Sequence, residues 1–217
     1  IVERKWAQSP EFTFDCWTAL MSLPLHLKAW GNDAPGKSGY LTVPPENREY
    51  WADRVAQLSQ GTRPRVGLAW SGQPNHRGDR RRSIPFETIR SYLRNNPVSF
   101  FALQTTVPSG MPTNVLDVSE ELITLADTAA LIEQMDLVIT VDTSVVHIAG
   151  AMGKPTWLLL PKRYEWRWGL EGESNDWYDS VKVMRQQEHS NWKPVLEEVF
   201  GQRLRIYSIS RGFKWVS

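Results

Sequence analysis

The sequence lacks several features that would assign a protein to a class at once. Its 217 residues contain a single cysteine, Cys16, so no internal disulfide can form, as is typical of proteins from reducing compartments. No apolar run approaches the roughly 20 residues that a membrane-spanning helix needs. The formal net charge is only +1, which argues against binding to nucleic acid or to an anionic membrane. We therefore expect a cytoplasmic protein with no transmembrane segment and no nucleic-acid partner.

Several common motifs of catalysis are missing as well. There is no G-x-G-x-x-G dinucleotide fingerprint, no G-x-S-x-G nucleophile elbow and no metal-ligand spacing of Cys and His. Residues 31–38, GNDAPGKS, do match the phosphate-loop pattern G-x-x-x-x-G-K-S. That loop requires a helix after it, whereas the extended segment GYLTVPP follows here, so we interpret the match as chance. We expect no metal ion and no cofactor.

The hydrophobic pattern changes along the chain. Residues 31–47 are rich in Gly, Pro and Asn, which is typical of a linker, and helical spacing of apolar residues predicts a helix from Glu46 to Leu58. Further along, short apolar runs alternate with amphipathic segments. They predict strands near 66–70, 98–103, 114–118, 137–141, 156–160 and 181–184, and helices near 86–94, 127–135, 144–152 and 191–200. This alternation predicts an α/β fold with a doubly wound, Rossmann-like parallel sheet covered on both faces.

Three residues mark the ends of predicted helices. Pro85 suits the first position of the helix that follows it, and Asp127 is a plausible N-cap of a helix over 128–135. Gly153 can adopt the left-handed conformation that ends the helix over 144–152.

The most informative segment is Val138–Pro161, VITVDTSVVHIAGAMGKPTWLLLP. An apolar strand meets the polar turn Asp142-Thr143-Ser144, and an amphipathic helix carrying His147 begins there. Ligands of open parallel sheets bind at the carboxyl ends of strands, and a helix N-terminus suits phosphate. The pattern predicts a phosphate-containing ligand held by this turn. The alternative is that Asp142 and Thr143 only cap the helix and that His147 is a core histidine.

A second polar loop, WSGQPNHRGDRRRSI over residues 70–84, also follows a predicted strand. Ser71 and Gly72 permit close approach of the backbone to a ligand, and Arg82 is placed to clamp a diphosphate. We interpret three further arginines as parts of a solvated basic loop, and the Arg-Gly-Asp tripeptide within it as chance; the arginines are Arg77, Arg80 and Arg81.

Two further groups fall at the same predicted edge of the sheet. Gln104 ends the strand VSFFALQ and could reach a ribose, and the backbone at Leu125 and Ala126 could pair with a nucleobase, with Asp127 beside it. For each of these, a buried amide or ordinary helix capping is an equal alternative.

These residues together resemble a known family. The series VGLAWSGQPNH, DRRRSIP, FFALQ, LADTAALIEQMDLVITVDTSVVHIAGAMGKPTWLLL and WRW is similar to the nucleotide-sugar-binding half of the heptosyltransferase-like glycosyltransferases, glycosyltransferase family 9. The bacterial branch in which this half follows tetratricopeptide repeats is the most similar. The resemblance covers roughly residues 12–200.

The resemblance implies a GT-B architecture, in which two Rossmann-like domains face each other and the C-terminal one holds the donor. It implies that Asp142, Thr143, Ser144, His147, Ser71, Gly72 and Arg82 meet the donor diphosphate, and that Leu125 and Ala126 flank the base. It divides the chain into a remnant of the acceptor domain with a linker (1–43), a linker helix (44–61), the nucleotide-sugar-binding domain (62–200) and a tail of unknown role (201–217).

The family usually places its catalytic base on the acceptor domain, most of which would precede this sequence. The first ten residues, IVERKWAQSP, contain neither an initiator Met nor a signal-peptide core, so we expect a fragment or a trimmed product. Asp15 and His26 are the only upstream candidates for a base, and nothing in their spacing recommends them.

The function expected from these observations is inverting, metal-independent transfer of a sugar. The donor would be a nucleoside diphosphate sugar, and the acceptor a glycan, a lipid or a protein. Two alternatives stay open at this point: a non-catalytic nucleotide-binding module, and a nucleotide-sugar epimerase of the same architecture.

Overall fold

The structure is a computed structural model that describes residues 15–19, 22–28, 39–59 and 63–213. The chain forms two compact units, Ile1–Pro35 and Gly36–Ser217. The described part of the first unit contains one short helix, α1 (Leu23–Leu27), and Asp15 and His26 are exposed there. The phosphate-loop match at 31–38 lies outside the described residues.

The second unit is built on a parallel sheet of six strands. They are β1 (Arg65–Ala69), β2 (Ser99–Ala102), β3 (Val115–Leu116), β4 (Leu137–Val141), β5 (Thr156–Leu160) and β6 (Val181–Arg185). Their order across the sheet is β3-β2-β1-β4-β5-β6, and each neighbouring pair is parallel. The predicted Rossmann-like α/β fold is therefore confirmed, with a third strand shorter than the sequence suggested.

Helices cover both faces of this sheet. They are α2 (Pro45–Leu58), α3 (Asp79–Arg82), α4 (Phe86–Arg94), α5 (Leu125–Glu133), α6 (Ser144–Ala151), α7 (Lys193–Leu196) and α8 (Leu204–Ser210). Short 3-10 turns occupy Ser119–Glu121 and Trp166–Trp168, and a wider π-helical segment, Glu197–Arg203, joins α7 to α8.

The last helical segment extends ten residues beyond the predicted end at residue 200. Leu204 and Ser208 are fully buried and continue the inward face of Phe200 at a spacing of four residues. The Tyr207 hydroxyl donates a hydrogen bond to the backbone oxygen of Asp136 at 2.6 Å. Part of the tail over 201–217 thus packs on the domain. In the sequence, charged residues between its apolar positions obscure their helical spacing.

Two predicted helix starts differ from the structure. Pro85 is the N-cap residue of α4, one position before the predicted place. Asp127 is not the N-cap of α5: Thr124 is, and Asp127 lies three residues later, where the two form a reciprocal capping box. Asp and Thr are both common N-cap residues, so residue type alone does not distinguish Asp127 from Thr124. The left-handed conformation of Gly153 is confirmed by its φ of 74°.

The core lies on both sides of the sheet. On one side α4, α7 and α8 pack on β1 and β2 through Leu93, Phe100 and Phe200. On the other side α2, α5 and α6 enclose Trp51 and Val138. Burial on both faces explains why the strands are apolar at nearly every position instead of at alternate ones.

The strand order determines which edge of the sheet carries the functional site. The chain runs from β1 outward to β2 and β3, then returns to β4 on the opposite side of β1 and continues to β6. The order reverses between β1 and β4, and a crevice opens at the carboxyl ends of strands at such a switch point. The loop after β1 and the turn after β4 therefore face each other.

Replacing Gly150 on α6 with Ala should destabilise the domain. A Cβ there would lie 2.4 Å from Cγ of Tyr178, at the rigid base of a buried ring. We expect Gly150→Ala to lower the free energy of unfolding by about 1–3 kcal/mol, measured by urea denaturation. Gly201→Ala is the matched control, because no atom lies within 4 Å of its Cβ position. The control should be as stable as the wild type or more so, and equal losses in both variants would contradict this packing.

Candidate functional site

A cleft of about 530 Å³ opens at the carboxyl ends of β1 and β4. Three segments line it: residues 73–82 from the loop after β1, residues 142–147 from the turn after β4 with the start of α6, and residues 161–167 from the loop after β5. The predicted turn and the predicted loop are thus brought together at one site, and a third loop joins them.

The cleft is rich in positive charge. Five arginines line it, accompanied by the carboxylates of Asp142 and Glu165; they are Arg77, Arg81, Arg82, Arg163 and Arg167. Arg77 and Arg81 are exposed, as expected for a solvated loop, and both also line the cleft. Arg80 is exposed and lies outside the lining. The excess of guanidinium groups favours an anionic ligand.

Arg82 is held by a network within the loop after β1. Its Nε donates to Oδ1 of Asp79 at 3.2 Å, and the Ser83 hydroxyl donates to Oδ2 of the same carboxylate at 2.9 Å. Asp79 is 8% exposed, so the pair is shielded from solvent. Gly72 makes room for it, since a Cβ there would lie 2.5 Å from both Asp79 Oδ1 and Arg82 Nη2. A larger residue at this position would displace the ion pair.

Arg82 also joins the two sides of the crevice. Its Nη1 donates a hydrogen bond to the backbone oxygen of Asp142 at 2.6 Å, across 60 positions of sequence. One guanidinium therefore fixes the β1 loop relative to the β4 turn.

Gln104 supports the same loop from beneath. Its side-chain oxygen accepts hydrogen bonds from the amides of Trp70 (2.9 Å) and Ser71 (3.1 Å), and its nitrogen donates to the Ser71 hydroxyl at 3.0 Å. Gln104 is buried, and neither it nor Ser71 lines the cleft. These contacts agree with the alternative of a buried amide that positions the backbone, and contact of Gln104 with a ribose stays a prediction.

The start of α6 faces the cleft. Asp142, Thr143 and Ser144 line it, and Thr143 is the N-cap residue but makes no side-chain cap bond. Its hydroxyl instead lies 3.5 Å from that of Thr140. The first amides of a helix have no acceptor within the helix, and they carry the positive end of its dipole. This end of α6 is suited to a phosphate oxygen.

His147 lies one turn further along α6 and is enclosed by aromatic side chains. Its ring stacks on Trp168 at a centroid distance of 5.4 Å, and its Nδ1 lies 3.1 Å from the Tyr178 hydroxyl. Its Nε2 lies 3.4 Å from Nη1 of Arg167. Burial lowers the pKa of His147, the charge of Arg167 lowers it further, and Asp142 opposes them more weakly. The imidazole is therefore neutral at physiological pH.

The predicted nucleoside-binding residues lie apart from the cleft lining. Leu125 is 67% exposed at the start of α5, with Ala126 beside it. Asp127 accepts hydrogen bonds from Asn47 (2.8 Å) and from the Trp51 indole (3.4 Å), which ties α5 to α2. Contact of these residues with a nucleoside stays a prediction.

Sequence reasoning missed three residues of this site. Asp79 was set aside with the Arg-Gly-Asp tripeptide, although its position three residues before Arg82 is a helical ion-pair spacing. Arg167 belongs to the WRW part of the family resemblance, which indicated that the segment matters. Nothing in the sequence near Tyr178 indicates its contact with His147, because 31 residues separate them.

Among the residues that the structure describes, no group of three or more His, Cys, Asp or Glu side chains is arranged to hold a metal ion. No helix in the same ranges is long and apolar enough to cross a membrane.

The chain is similar in sequence to proteins of known family. Residues 109–193 match the family described as glycosyltransferase family 9 (heptosyltransferase). Protein FlbA of Caulobacter vibrioides is 26% identical over 199 residues, which are 86% of this chain and 32% of FlbA. The chain thus spans about a third of that relative's length. The family match confirms the resemblance to glycosyltransferase family 9 over the matched residues.

Two solved structures are similar at low identity. E. coli ADP-heptose lps heptosyltransferase II has 17% identity and a TM-score of 0.47, with coverage of 76% of this chain and 54% of that one. The spinosyn forosaminyltransferase SpnP has 18% identity and a TM-score of 0.42, with coverage of 78% and 38%. At TM-scores below 0.5 these likenesses support no argument about function.

The capping box of α5 predicts that the stability of the domain depends on pH. Burial alone would raise the pKa of Asp127, but hydrogen bonds from Thr124, Asn47 and Trp51 outweigh it and lower the pKa. A carboxylate with a lowered pKa stabilises the fold above its unfolded pKa of about 3.9, and this contribution disappears as the pH falls through the folded value. Asp127→Asn should therefore cost about 1 kcal/mol at pH 7.

The cost should begin to shrink below about pH 4, as followed by urea denaturation between pH 2 and 7. Asp53→Asn, on an exposed position of α2, is the matched loss of one carboxylate charge. A cost of Asp127→Asn that does not change with pH would contradict the charged capping box.

Proposed function

We propose that this chain, which carries a heptosyltransferase-like domain of glycosyltransferase family 9, is the donor-binding part of an inverting, metal-independent glycosyltransferase. Its ligand is a nucleoside diphosphate sugar, and its acceptor is a glycan, a lipid or a protein bound by another domain. The bacterial origin of FlbA and the single cysteine support a bacterial, cytoplasmic setting. An association with tetratricopeptide repeats stays part of the proposal.

One observation carries the proposal. The N-terminus of α6 and the guanidinium of Arg82 meet in a single cleft at the switch point of the sheet. Each of these features favours the same ligand chemistry, which is a compact group with two or more negative charges. The hydroxyls of Thr143 and Ser144 line the same wall and can donate to phosphate oxygens.

The proposed reaction follows from where the charge develops. The acceptor oxygen or nitrogen attacks the anomeric carbon from the face opposite the diphosphate, and the carbon–oxygen bond to the diphosphate breaks. The acceptor proton passes to a base supplied by the acceptor-binding domain. The leaving diphosphate gains negative charge, which the α6 amides, the two hydroxyls and Arg82 stabilise. Arginine and helix amides take the place that a divalent ion has in other transferases.

Thermal stability with a panel of ligands is the direct test of donor binding. We expect one of ADP, GDP, UDP and CDP, or its sugar conjugate, to raise the melting temperature selectively, because a ligand stabilises by RT ln(1 + [L]/Kd). EDTA should leave the shift unchanged. Absence of any shift would contradict the donor site, and loss of the shift in EDTA would contradict metal independence.

Turnover separates the transferase from the other readings. Incubation of the donor without an acceptor should leave the sugar configuration unchanged, whereas an epimerase would interconvert it. Transfer to an acceptor by the full-length gene product would distinguish the enzyme from a module that only binds the nucleotide. Product formation supports the proposal, and its complete absence with intact binding contradicts it.

Arg82 is the residue whose loss should matter most to donor affinity. Arg82→Gln removes the charge and weakens the bridge to Asp142, so we expect the nucleoside diphosphate to bind at least tenfold more weakly in calorimetry. Thr143→Ala should have a smaller effect in the same direction. Arg80→Gln is the matched control, since it removes the same charge from the same loop outside the cleft. If the Arg82 and Arg80 variants bound the nucleoside diphosphate equally well, the assignment of Arg82 as a diphosphate-binding residue would be wrong.

A further inference from the structure

The third loop of the cleft carries an arginine in a specific setting. Arg167 lines the cleft, and its side chain is 25% exposed. Nη1 lies 3.4 Å from His147 Nε2, and Nη2 lies 3.5 Å from Oε2 of Glu165. Each contact uses one N–H, so a second N–H on each terminal nitrogen remains for a ligand. The guanidinium is thus positioned by the chain and retains donors.

The contact with Arg167 determines the tautomer of His147. Arginine is always protonated and only donates hydrogen bonds, so Nε2 of the imidazole must be the acceptor. The proton of the neutral ring then lies on Nδ1 and is donated to the Tyr178 hydroxyl at 3.1 Å. Tyr40 lies near Tyr178, and burial followed by this neighbour raises the pKa of Tyr178. The histidine is held from both sides.

The surroundings of His147 disfavour its cationic form. Protonation of Nε2 would place an N–H against a guanidinium and would break the hydrogen bond that Nε2 accepts. Trp168 is fully buried and stacks on the ring, and Tyr178 covers another side. Among the described residues, the carboxylate of Asp142 acts on the ring in the opposite sense, and the Glu165 carboxylate lies 3.5 Å from Nη2 of Arg167.

We propose that Arg167 is a diphosphate-binding residue of this cleft, and that His147 is a positioning residue that holds the Arg167 guanidinium through Nε2 and is itself oriented by Tyr178. This inference rests on the proposed donor site and changes the role of one of its members. His147 acts on the ligand through Arg167 and contributes no positive charge of its own. Arg82 and Arg167 then grip the ligand from opposite loops of the cleft, one after β1 and one after β5.

Binding of inorganic pyrophosphate, ADP, GDP, UDP and CDP, measured by calorimetry at fixed low salt, tests the proposal. We expect Arg167→Gln to weaken the binding of pyrophosphate, or of the tightest nucleoside diphosphate, by about tenfold or more. Arg80→Gln should stay within about twofold of the wild type. If the wild type binds none of these anions, the proposed function fails and the inference with it. If the wild type binds and Arg167→Gln binds equally well, the inference alone is overturned.

Two substitutions of His147 separate positioning from direct binding. The side-chain oxygen of Gln can take the place of Nε2 as acceptor, so His147→Gln should keep affinity within about threefold of the wild type. His147→Ala should weaken binding about as much as Arg167→Gln, and the double variant should be no weaker than Arg167→Gln alone. Additive losses in the double variant would show that His147 contacts the ligand independently, which would overturn its positioning role.

The pH dependence gives a readout that packing alone would not move. The ratio of wild-type to His147→Gln affinity should stay constant between pH 8.5 and 6.5, because protonation of pyrophosphate affects both proteins equally. A ratio that rises as the pH falls through about 6.5, the ordinary pKa of histidine, would make His147 a cationic ligand and overturn the proposal.

Nitrogen-15 chemical shifts of the imidazole report the tautomer directly. We expect the proton on Nδ1 in the wild type and a loss of that preference in Tyr178→Phe, with Tyr92→Phe unchanged as the control. A proton on Nε2 in the wild type is incompatible with the contact to Arg167 and would overturn the assignment.

Discussion

The guanidinium of Arg82 is the contact on which the geometry of the cleft depends. It receives its orientation from Asp79, for which Gly72 leaves space, and it delivers a hydrogen bond to the carbonyl of Asp142. A parallel sheet brings the carboxyl ends of its strands to one edge but does not fix the loops beyond them. The Arg82 guanidinium, a charged donor shared between the two loops, fixes them relative to each other beside the start of α6.

The cleft combines rigid and exposed elements in a consistent way. Residues that set the backbone, such as Gln104 and Asp79, are buried and have their hydrogen bonds completed within the chain. Arginines that face the opening, such as Arg77 and Arg163, are exposed. Burial holds the residues that position the backbone in place, while the exposed arginines attract an anion before it loses its hydration. A rigid backbone with exposed arginines favours recognition of a diphosphate by a preformed site.

The sequence predicted the fold because its signals are local. Strands such as β4 are apolar at every position, and polar turns mark their ends, so both the α/β class and the turn at Asp142 could be recognised. The same holds for Gly153, whose place after a helix defines its conformation. Helix ends were less certain, because Thr124 and Asp127 are both good caps and only the geometry shows which one begins α5.

The network around the cleft was not predictable for the opposite reason. The bond from Arg82 to Asp142 spans 60 positions, and the contact of His147 with Tyr178 spans 31. No period or spacing connects such pairs, and an exposed basic loop looks the same in sequence whether or not it faces a cleft. Residue types could suggest a diphosphate site, but which arginines face it depends on tertiary packing.

The segment before α2 has a practical consequence for how this domain is handled. The amides of Gly39, Tyr40 and Leu41 all point to the carbonyl of Ala151, at the end of the helix whose beginning forms the cleft wall. Tyr40 also meets Tyr178. A shortened chain that began at the first residue of α2 would keep the sheet and most of its core, yet it would lose the three amide donors at the end of α6 and the neighbour of Tyr178. The boundary for an excised domain therefore belongs ahead of Gly39.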